Sequence, residues 1–290
     1  MDTSARGRVM ALFESSFYVE TQAGLACIGN EDLEPSSLNL VTLAPAGTNW
    51  SASGLRLDDR VSVGRDCVGV GNRFSFPFSD AVAWSPDPVS PSWRIRDLRR
   101  GIKAFREAAR DLVPKEGLGP FLNPEFRPGR SQFVCRIANA PIAELRRRLV
   151  TVFGDPGQRI MKEWRGVDSL AGLGPGLTPS GDDLIGGMMI ALHGLGESDV
   201  CGQLWGTVRR CADTMTNAIS RAHLEAAAQG QGSATIHRAL SAILAGQPEA
   251  VRDTLPAIDR IGHTSGWDAM AGVIVTLESW LEARTAASLP

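Results

Sequence analysis

Hydrophobic and polar residues follow two different patterns along this chain. Up to about residue 92, short β-branched or aromatic runs are separated by Gly, Pro, Asn, Asp and Ser, which is typical of strands and turns. Beyond that point the apolar positions recur at a helical period. The pattern predicts an α+β fold, with a β-rich small barrel or sandwich over residues 1–92 and a larger α-helical domain over residues 93–290.

Within these two parts the pattern predicts individual elements. Strands are expected at Arg8–Phe13, Phe17–Thr21, Leu25–Ile28, Leu38–Leu43, Arg60–Val63, Cys67–Val70 and Phe74–Phe78. Helices are expected at Trp93–Leu112, Ile142–Phe153, Gln158–Asp168, Gly181–His193, Val200–Ala212, Thr214–Gln229, Ala234–Ala245, Pro248–Ile261 and Gly266–Arg284. The proline-rich stretch Trp84–Trp93 is interpreted as a linker. Strands do not alternate with helices, so a dinucleotide-binding sheet is not expected.

Composition then narrows the class of protein. The 290 residues are 43% hydrophobic and 21% charged, which is ordinary for a folded globular chain and unlike a disordered one. No apolar run is long enough for a membrane span, and no signal peptide is recognised at the start. The five cysteines form no CxxC pair. We therefore expect reduced thiols in a cytoplasmic protein, without a disulfide framework or a zinc site.

The net charge of −2 conceals a local excess of positive charge. Residues 94–148 contain 14 basic and 6 acidic side chains, a net charge of +8. Such a segment suits an anionic ligand, an RNA or a solvated helix beside an acidic surface. Because the charges repeat at helical spacing without a pattern of aromatic residues that suggests base stacking, the solvated helix is favoured and no nucleic-acid partner is expected.

Chemistry-bearing residues concentrate in the segment 172–187, GLGPGLTPSGDDLIGG. Its glycines and prolines forbid regular structure, and Ser180 with Asp183 three residues later predicts a capping box at a helix start. The adjacent acids Asp182 and Asp183 and the hydroxyls of Thr178 and Ser180 exceed what capping requires. We therefore expect a ligand site at this helix N-terminus, although many helices begin with a loop of this kind.

The arrangement occurs a second time. Ser265, Gly266, Asp268 and Gly272 repeat Ser180, Gly181, Asp183 and Gly187 in an S-G-x-D-x-x-x-G pattern, 85 residues apart. Two such helix starts could face one another across a pocket, although residues as common as Ser, Gly and Asp also coincide by chance. A weaker third echo, GLGPFLNP at 117–124, matches the first loop at six of eight positions.

The physical chemistry of this helix start points in two directions. Free N–H groups near Gly174 and Gly176 attract phosphate or carboxylate, whereas Asp182 and Asp183 repel the same anion. The acids would then hold a divalent cation such as Mg²⁺, accept hydrogen bonds from an amide NH2, or divide the work, with Asp183 capping and Asp182 reacting. No spacing of His and Cys predicts a metal cluster, and no cofactor is required by the sequence.

Two further groups of polar residues are candidates for the same site. His263 and Thr264 precede the second helix start, and the histidine is the best candidate for acid–base or anion-binding work. Thr216, Ser220 and His223 form a polar stripe on an Ala-rich helix. That stripe is interpreted either as a pocket wall or as a hydrogen-bonded seam between helices.

The run GLGPGLTPSGDD at 172–183, the later GHTSGWD at 262–268 and the helix of Thr216 and Ser220 resemble the AllH family. Its named member is a subunit of oxamate carbamoyltransferase from anaerobic allantoin degradation. The resemblance implies carbamoyl exchange between oxalurate plus phosphate and oxamate plus carbamoyl phosphate. It also implies partner subunits, one of them resembling CoA-ligase-like proteins, while self-association remains an open alternative.

On that basis each candidate residue receives an expected role. Asp182, Asp183 and His263 are expected to be catalytic, the acids accepting from the carbamoyl NH2 and the histidine moving a proton. Substrate and phosphate are expected to be bound by Gly174, Gly176, Thr178, Ser180, Gly181, Thr264, Ser265, Gly266, Asp268, Thr216 and Ser220. Two alternatives remain: a structural subunit without catalysis, and a stand-alone metal-dependent hydrolase.

Overall fold

The computed structural model describes residues 5–89, 92–159 and 163–286, which form two compact units that divide between Ser85 and Pro86. The first unit is one curled, seven-stranded sheet, a half-barrel, and the second is helical. The α+β fold class is therefore confirmed. The expected linker is irregular from residue 81 to 89, while Ser90 and Pro91 lie outside the described residues.

Seven strands in the order β4-β3-β2-β1-β5-β6-β7 make the sheet of the first unit. They are β1 (Ala5–Leu12), β2 (Ser16–Thr21), β3 (Gly24–Gly29), β4 (Asn39–Val41), β5 (Arg60–Val63), β6 (Cys67–Val70) and β7 (Phe74–Pro77). All neighbours are antiparallel except β3 and β4, and a register shift between Val9 and Ala11 interrupts β1. All seven strand predictions are confirmed, with small differences at their ends.

Trp50 lies at the centre of the core that covers one side of this sheet. Its ring makes edge-on contacts with Phe17, Phe74 and Phe76 at centroid distances of 5.1, 5.6 and 5.9 Å. Such edge-to-face pairs are a favoured arrangement of aromatic quadrupoles. Alternate residues of the strands complete the core, as the two-residue period requires.

Nine α-helices lie within the described part of the second unit. They are α1 (Ile95–Ala109), α2 (Phe133–Gly154), α3 (Val167–Leu170), α4 (Ser180–Gly194), α5 (Ser198–Met215), α6 (Ala218–Ala228), α7 (Ala234–Leu244), α8 (Pro248–Asp259) and α9 (Ser265–Ala286). Short 3-10 turns occur at Gly119–Leu122 and Pro156–Gln158. Helices α4 and α9 are the most apolar of the long helices and are largely buried.

Three helix predictions need correction. Helix α2 begins at Phe133 rather than Ile142, because it continues through Pro141. The helix expected over Gln158–Asp168 is wrong, since Gly166 takes a left-handed φ of 98° and only the short α3 follows; residues 160–162 lie outside the described ranges. The helix expected over Thr214–Gln229 is divided, because Asn217 caps α6 with its side chain.

Candidate functional site

The glycine-rich segment 172–179 forms a loop that leads into α4. Gly172, Gly174 and Gly176 all have positive φ values, of 71°, 115° and 99°, which side-chain-bearing residues rarely adopt. Helix α4 begins at Ser180, and Pro179 occupies the cap position without a side-chain hydrogen bond. The expected capping box is therefore wrong: the polar side chains of this helix start serve contacts outside the first turn.

Asp182 is buried and holds three separate segments together. Its Oδ1 atom accepts a hydrogen bond from the Gly172 amide at 2.8 Å, and its Oδ2 atom accepts one from the Ser220 hydroxyl at 2.7 Å. The Thr216 hydroxyl donates a third hydrogen bond to Oδ2. Both carboxylate oxygens are thus occupied by donors of the protein itself, and Thr216 and Ser220 form the seam between helices that was one of the two expectations.

Asn217 attaches the same loop from the other side. Its side-chain oxygen accepts hydrogen bonds from the Ile219 and Ser220 amides, and its Nδ2 atom donates to the Leu177 carbonyl at 2.8 Å. The residue therefore both caps the start of α6 and holds the loop 172–179 in place. It stood beside the polar stripe in the sequence, but only the folded chain brings it to Leu177.

Helices α4 and α9 cross at an exceptionally short distance. A Cβ atom on Gly187 would lie 1.9 Å from the Ala269 carbonyl oxygen, and one on Gly272 would lie 1.9 Å from the Leu184 carbonyl oxygen. These two contacts are related by the same 85-residue offset as the motifs. The crossing is therefore pseudo-twofold, and it brings the two helix starts together as the repeated sequence pattern predicted.

The two motifs exchange side-chain contacts across this crossing. The Ser265 hydroxyl acts on Asp183 by hydrogen bonding, and the Ser180 hydroxyl acts in the same way on Asp268. Thr178 and Ser265 also share a hydrogen bond of 3.0 Å. The serine of each motif thus interacts with the aspartate of the other motif. Neither helix start alone predicts this exchange.

Asp183 differs from Asp182 because one of its oxygens has no hydrogen-bond donor. The residue as a whole is half-buried, but its Oδ2 atom is buried and accepts no hydrogen bond from the described residues. Burial raises the pKa of Asp183 well above the ordinary aspartate value; the Ser265 and Thr178 hydroxyls oppose this shift, and the charges of Asp268 and Asp182 add to it. A carboxyl with a raised pKa and a spare acceptor is suited to proton transfer.

Asp268 occupies the equivalent position in α9 but is fully enclosed. Its Oδ1 atom accepts hydrogen bonds from the amides of Leu118 and Gly119, the second at 3.1 Å, and its Oδ2 atom accepts one from Thr264 at 2.7 Å. Burial raises the pKa of Asp268, against the effect of these donors. Asp268 is therefore fully buried and held by donors of the protein itself.

The amides of Leu118 and Gly119 were not among the predicted site residues. They belong to the third sequence echo, whose Gly117 has a φ of 66° and would place a Cβ atom 2.5 Å from Asp268 Oδ1. The sequence similarity between 117–124 and 172–179 was the signal that could have predicted a role for these two amides. Both segments place backbone amides against an aspartate of a motif helix.

Backbone donors divide into two groups around the start of α4. The amides of Gly181, Asp182 and Asp183 already donate to the carbonyls of Leu173 and Pro179. In the part of the chain that the structure describes, the amides of 174 and 176–178 have no acceptor, and Pro175, Gly176 and Leu177 are exposed. The donors available to an anion therefore lie in the loop and not in the first turn of the helix.

The remaining predicted residues are placed as follows. His263 is exposed in the turn before α9 and makes no recorded hydrogen bond with the described residues, while Thr264 bonds Asp268. Gly181 and Gly266 are buried, and Cβ atoms on them would lie 2.0 and 2.1 Å from the carbonyl oxygens of Leu170 and Ile258. These two glycines permit close packing beneath the site.

The expected cation chemistry finds little support in the donor set. Among residues 5–89, 92–159 and 163–286, no group of three or more His, Cys, Asp or Glu side chains is arranged to hold a metal ion. Asp182 would have to give up hydrogen bonds from Gly172, Thr216 and Ser220 to coordinate one. The site therefore does not fit a cation bridged by Asp182 and Asp183.

The geometry defines a mostly helical protein in which two serine–aspartate motifs meet at a glycine crossing, preceded by a β-rich unit. Residues 170–277 match the family model of oxamate carbamoyltransferase subunit AllH. The match covers less than half of the chain but includes both motifs, Thr216 and Ser220. The resemblance to the AllH family is thereby confirmed over these residues. No solved structure matches the chain significantly, and no described helix is long and apolar enough to cross a membrane.

Proposed function

We propose that this chain is a subunit of a carbamoyltransferase that acts on oxamate and oxalurate, or on a similar small ureido or amide acid. The observation that carries the proposal is the carboxyl of Asp183, which has a raised pKa and a buried oxygen without a donor, and which lies beside a loop of amides without acceptors. It lies within the segment that matches the AllH family. The word subunit in the family's description supports partner proteins.

The loop supplies the proposed phosphate site. The amides of Gly174, Gly176, Leu177 and Thr178 have no acceptors among the described residues. The positive φ values of Gly174 and Gly176 keep the loop out of helix or strand geometry, so these N–H groups are not used in regular secondary structure. Concave arrangements of backbone amides bind phosphate in many proteins. The Thr178 and Ser265 hydroxyls lie beside this loop and would orient the carbonyl oxygen of the carbamoyl group.

In the proposed reaction a phosphate oxygen attacks the carbamoyl carbon of the ureido acid. The bond between that carbon and the amide nitrogen of oxamate breaks, and this nitrogen takes up a proton. Asp183 would accept a hydrogen bond from the carbamoyl NH2, and its raised pKa suits it to give or take the proton. His263 is exposed in the turn before α9 and would act as the second proton carrier.

Asp182 receives a different role from the one its sequence position implied. Its oxygens are occupied by Gly172, Thr216 and Ser220, so we assign it to positioning the loop that binds phosphate. The assignment separates two adjacent acids. Loss of Asp183 should lower kcat, whereas loss of Asp182 should act through loop geometry and stability.

The native protein complex provides the test. Co-purifying subunits would be identified by mass spectrometry, and carbamoyl phosphate formation from oxalurate and phosphate would be measured on the complex. We expect Asp183→Asn to reduce kcat by about 100-fold or more, in the range of general acid–base catalysis. His263→Ala should lower kcat as well, and the exposed Asp253→Asn serves as the matched control.

Several outcomes would contradict the proposal. Full activity of both Asp183→Asn and His263→Ala would remove these residues from the reaction. A chain that co-purifies with partners but binds neither phosphate nor oxalurate would be a structural subunit. Calorimetric binding of Mg²⁺ or Mn²⁺, lost in Asp183→Asn, would instead support a metal-dependent hydrolase.

A further inference from the structure

A cavity lies within the helical unit, apart from the motif helix starts. It has a volume of about 780 Å³ and is bounded by α1, the segment 113–126 and the later part of α9. This volume falls in the range of small-molecule sites. Oxamate and carbamoyl phosphate have no apolar part and are far smaller, so the proposed carbamoyl transfer does not account for it.

Positive charge surrounds the cavity. Arg99, Arg110 and Lys115 line it, and none of the three forms an ion pair with another described residue. One nitrogen of Arg99 donates to the Thr285 hydroxyl at 2.8 Å. Within the described lining, Glu125 is the acid without an ion pair, so the unpaired side chains leave an excess of positive charge facing the cavity.

Arg106, also in the wall, carries a further positive charge. Arg106 is ion-paired with Glu278, which also lies 3.8 Å from Arg146. The Nε atom of Arg106 is nevertheless buried and has no hydrogen-bond acceptor among the described residues. A buried N–H without an acceptor is costly, so the positive charge of Arg106 is incompletely compensated at this wall.

Apolar side chains form much of the remaining wall. Ile102 and Leu122 are buried, and Val113, Phe126 and Leu281 pack against the core beside them. Cations around an apolar wall match a ligand that is charged at one end and hydrophobic at the other.

We infer that this cavity binds an amphiphilic organic anion, with a carboxylate or phosphate group against Arg99, Arg110 and Lys115 and an apolar body against Leu122 and Phe126. The site is separate from the Asp183 cluster but shares a turn with it. Gly119 and Pro120 line the cavity, while the Gly119 amide is bonded to Asp268. The inference does not depend on the proposed carbamoyl transfer.

Fluorescence titration of the full chain with anilinonaphthalene sulfonate, an aromatic anion, tests this site. The double variant Arg110→Gln, Lys115→Gln should bind the probe about tenfold more weakly, because two charge-assisted contacts are lost. The matched control Arg65→Gln, Arg209→Gln removes the same charge from exposed positions outside the lining and should bind like the wild type. Circular dichroism would verify that each variant is folded.

Competition distinguishes the parts of the ligand. Octanoate and octyl phosphate should displace the probe, and the stronger of the two identifies the preferred head group. Octanol lacks the anionic group and inorganic phosphate lacks the apolar chain, so both should displace the probe poorly. The inference is overturned if the wild type does not bind the probe, if the lining and control variants weaken binding equally, or if octanol competes as well as octanoate.

Discussion

Asp182 and Asp183 are the same residue type at adjacent positions, yet their surroundings give them opposite properties. Successive residues of a helix point about 100° apart, so one aspartate meets the loop and α6 while the other meets the start of α9. The sequence indicated that acids mattered here but could not assign the roles. Asp182 depends on the Gly172 amide and on Thr216 and Ser220, which only the tertiary structure brings to it.

The hydrogen bonds of Asp182 predict a large stability effect. In Asp182→Asn an amide NH2 replaces one carboxylate oxygen and faces donors from Gly172 or from Ser220. We expect a loss of about 2–3 kcal/mol in the free energy of unfolding, because buried donors to a charged acceptor lose their partner. Urea unfolding would measure it. Asp253→Asn, at an exposed position in α8, should stay within about 0.5 kcal/mol of the wild type.

Asp183 predicts the opposite sign at neutral pH. Because its pKa is raised in the folded state, the folded protein binds the proton more tightly than the unfolded chain, whose ordinary value is 3.8. This favourable contribution is present below about pH 4 and is lost as pH rises through the raised pKa. Asp183→Asn should therefore be more stable than the wild type at pH 7 and lose that advantage at low pH.

Unfolding free energies of the wild type and Asp183→Asn, measured from about pH 4 to pH 7, would check this prediction. The difference between the two proteins reports Asp183 together with its charge interaction with Asp268, whose pKa is also raised. An advantage of the variant that does not change with pH would show that the carboxyl charge is not the cause.

At the scale of elements, the crossing of α4 and α9 determines where the site residues lie. The repeated S-G-x-D-x-x-x-G pattern predicted two facing helix starts, and the final glycine of that pattern proved to make the contact itself. The capping box failed because Ser180 and Asp183 have partners on α9. Local propensity describes how a helix begins, but here long-range packing of two nearly identical motifs decides what its side chains contact.

Two adjacent glycines of α4 make this crossing testable. In Gly187→Ala the new Cβ would lie 1.9 Å from the Ala269 carbonyl oxygen, so the helices must separate, and we expect a loss of about 2 kcal/mol or more. In Gly186→Ala the nearest atom is the Ala227 Cβ at 3.8 Å, an ordinary contact. This control should gain about 0.5–1 kcal/mol from helix propensity. Thermal unfolding would compare them, and similar effects at both positions would contradict the close crossing.

At the scale of the whole molecule, the change of hydrophobic period in the sequence corresponds to two units with separate cores. The strands followed directly from short apolar runs and their turns. The helix over Gln158–Asp168 was wrong because an amphipathic pattern there does not outweigh the left-handed Gly166. The basic excess of residues 94–148 could be counted in the sequence, but the cavity that part of it lines depends on α9, far along the chain.

Separate cores predict separate folding. Residues 86–290 contain the whole helical core, whereas Phe17, Trp50 and Val70 belong to the other unit. A fragment of residues 86–290 should therefore retain its helical circular dichroism and unfold in one cooperative transition. The fragment with Gly187→Ala provides a destabilised reference. A gradual, non-cooperative transition of the unmodified fragment would show that the helical unit needs the sheet.

The pseudo-twofold crossing also allows the surroundings of the two motif aspartates to be compared directly. Asp183 and Asp268 are equivalent positions, but the chain fills only one of them: the peptide N–H groups of Leu118 and Gly119 dock on Asp268, while Asp183 keeps an oxygen without a donor. Under the proposed function, the turn at Leu118 and Gly119 indicates the kind of ligand group that Asp183 would accept. A carbamoyl or amide NH2 presents the same kind of nitrogen-bound hydrogens to a carboxylate as a pair of adjacent peptide groups.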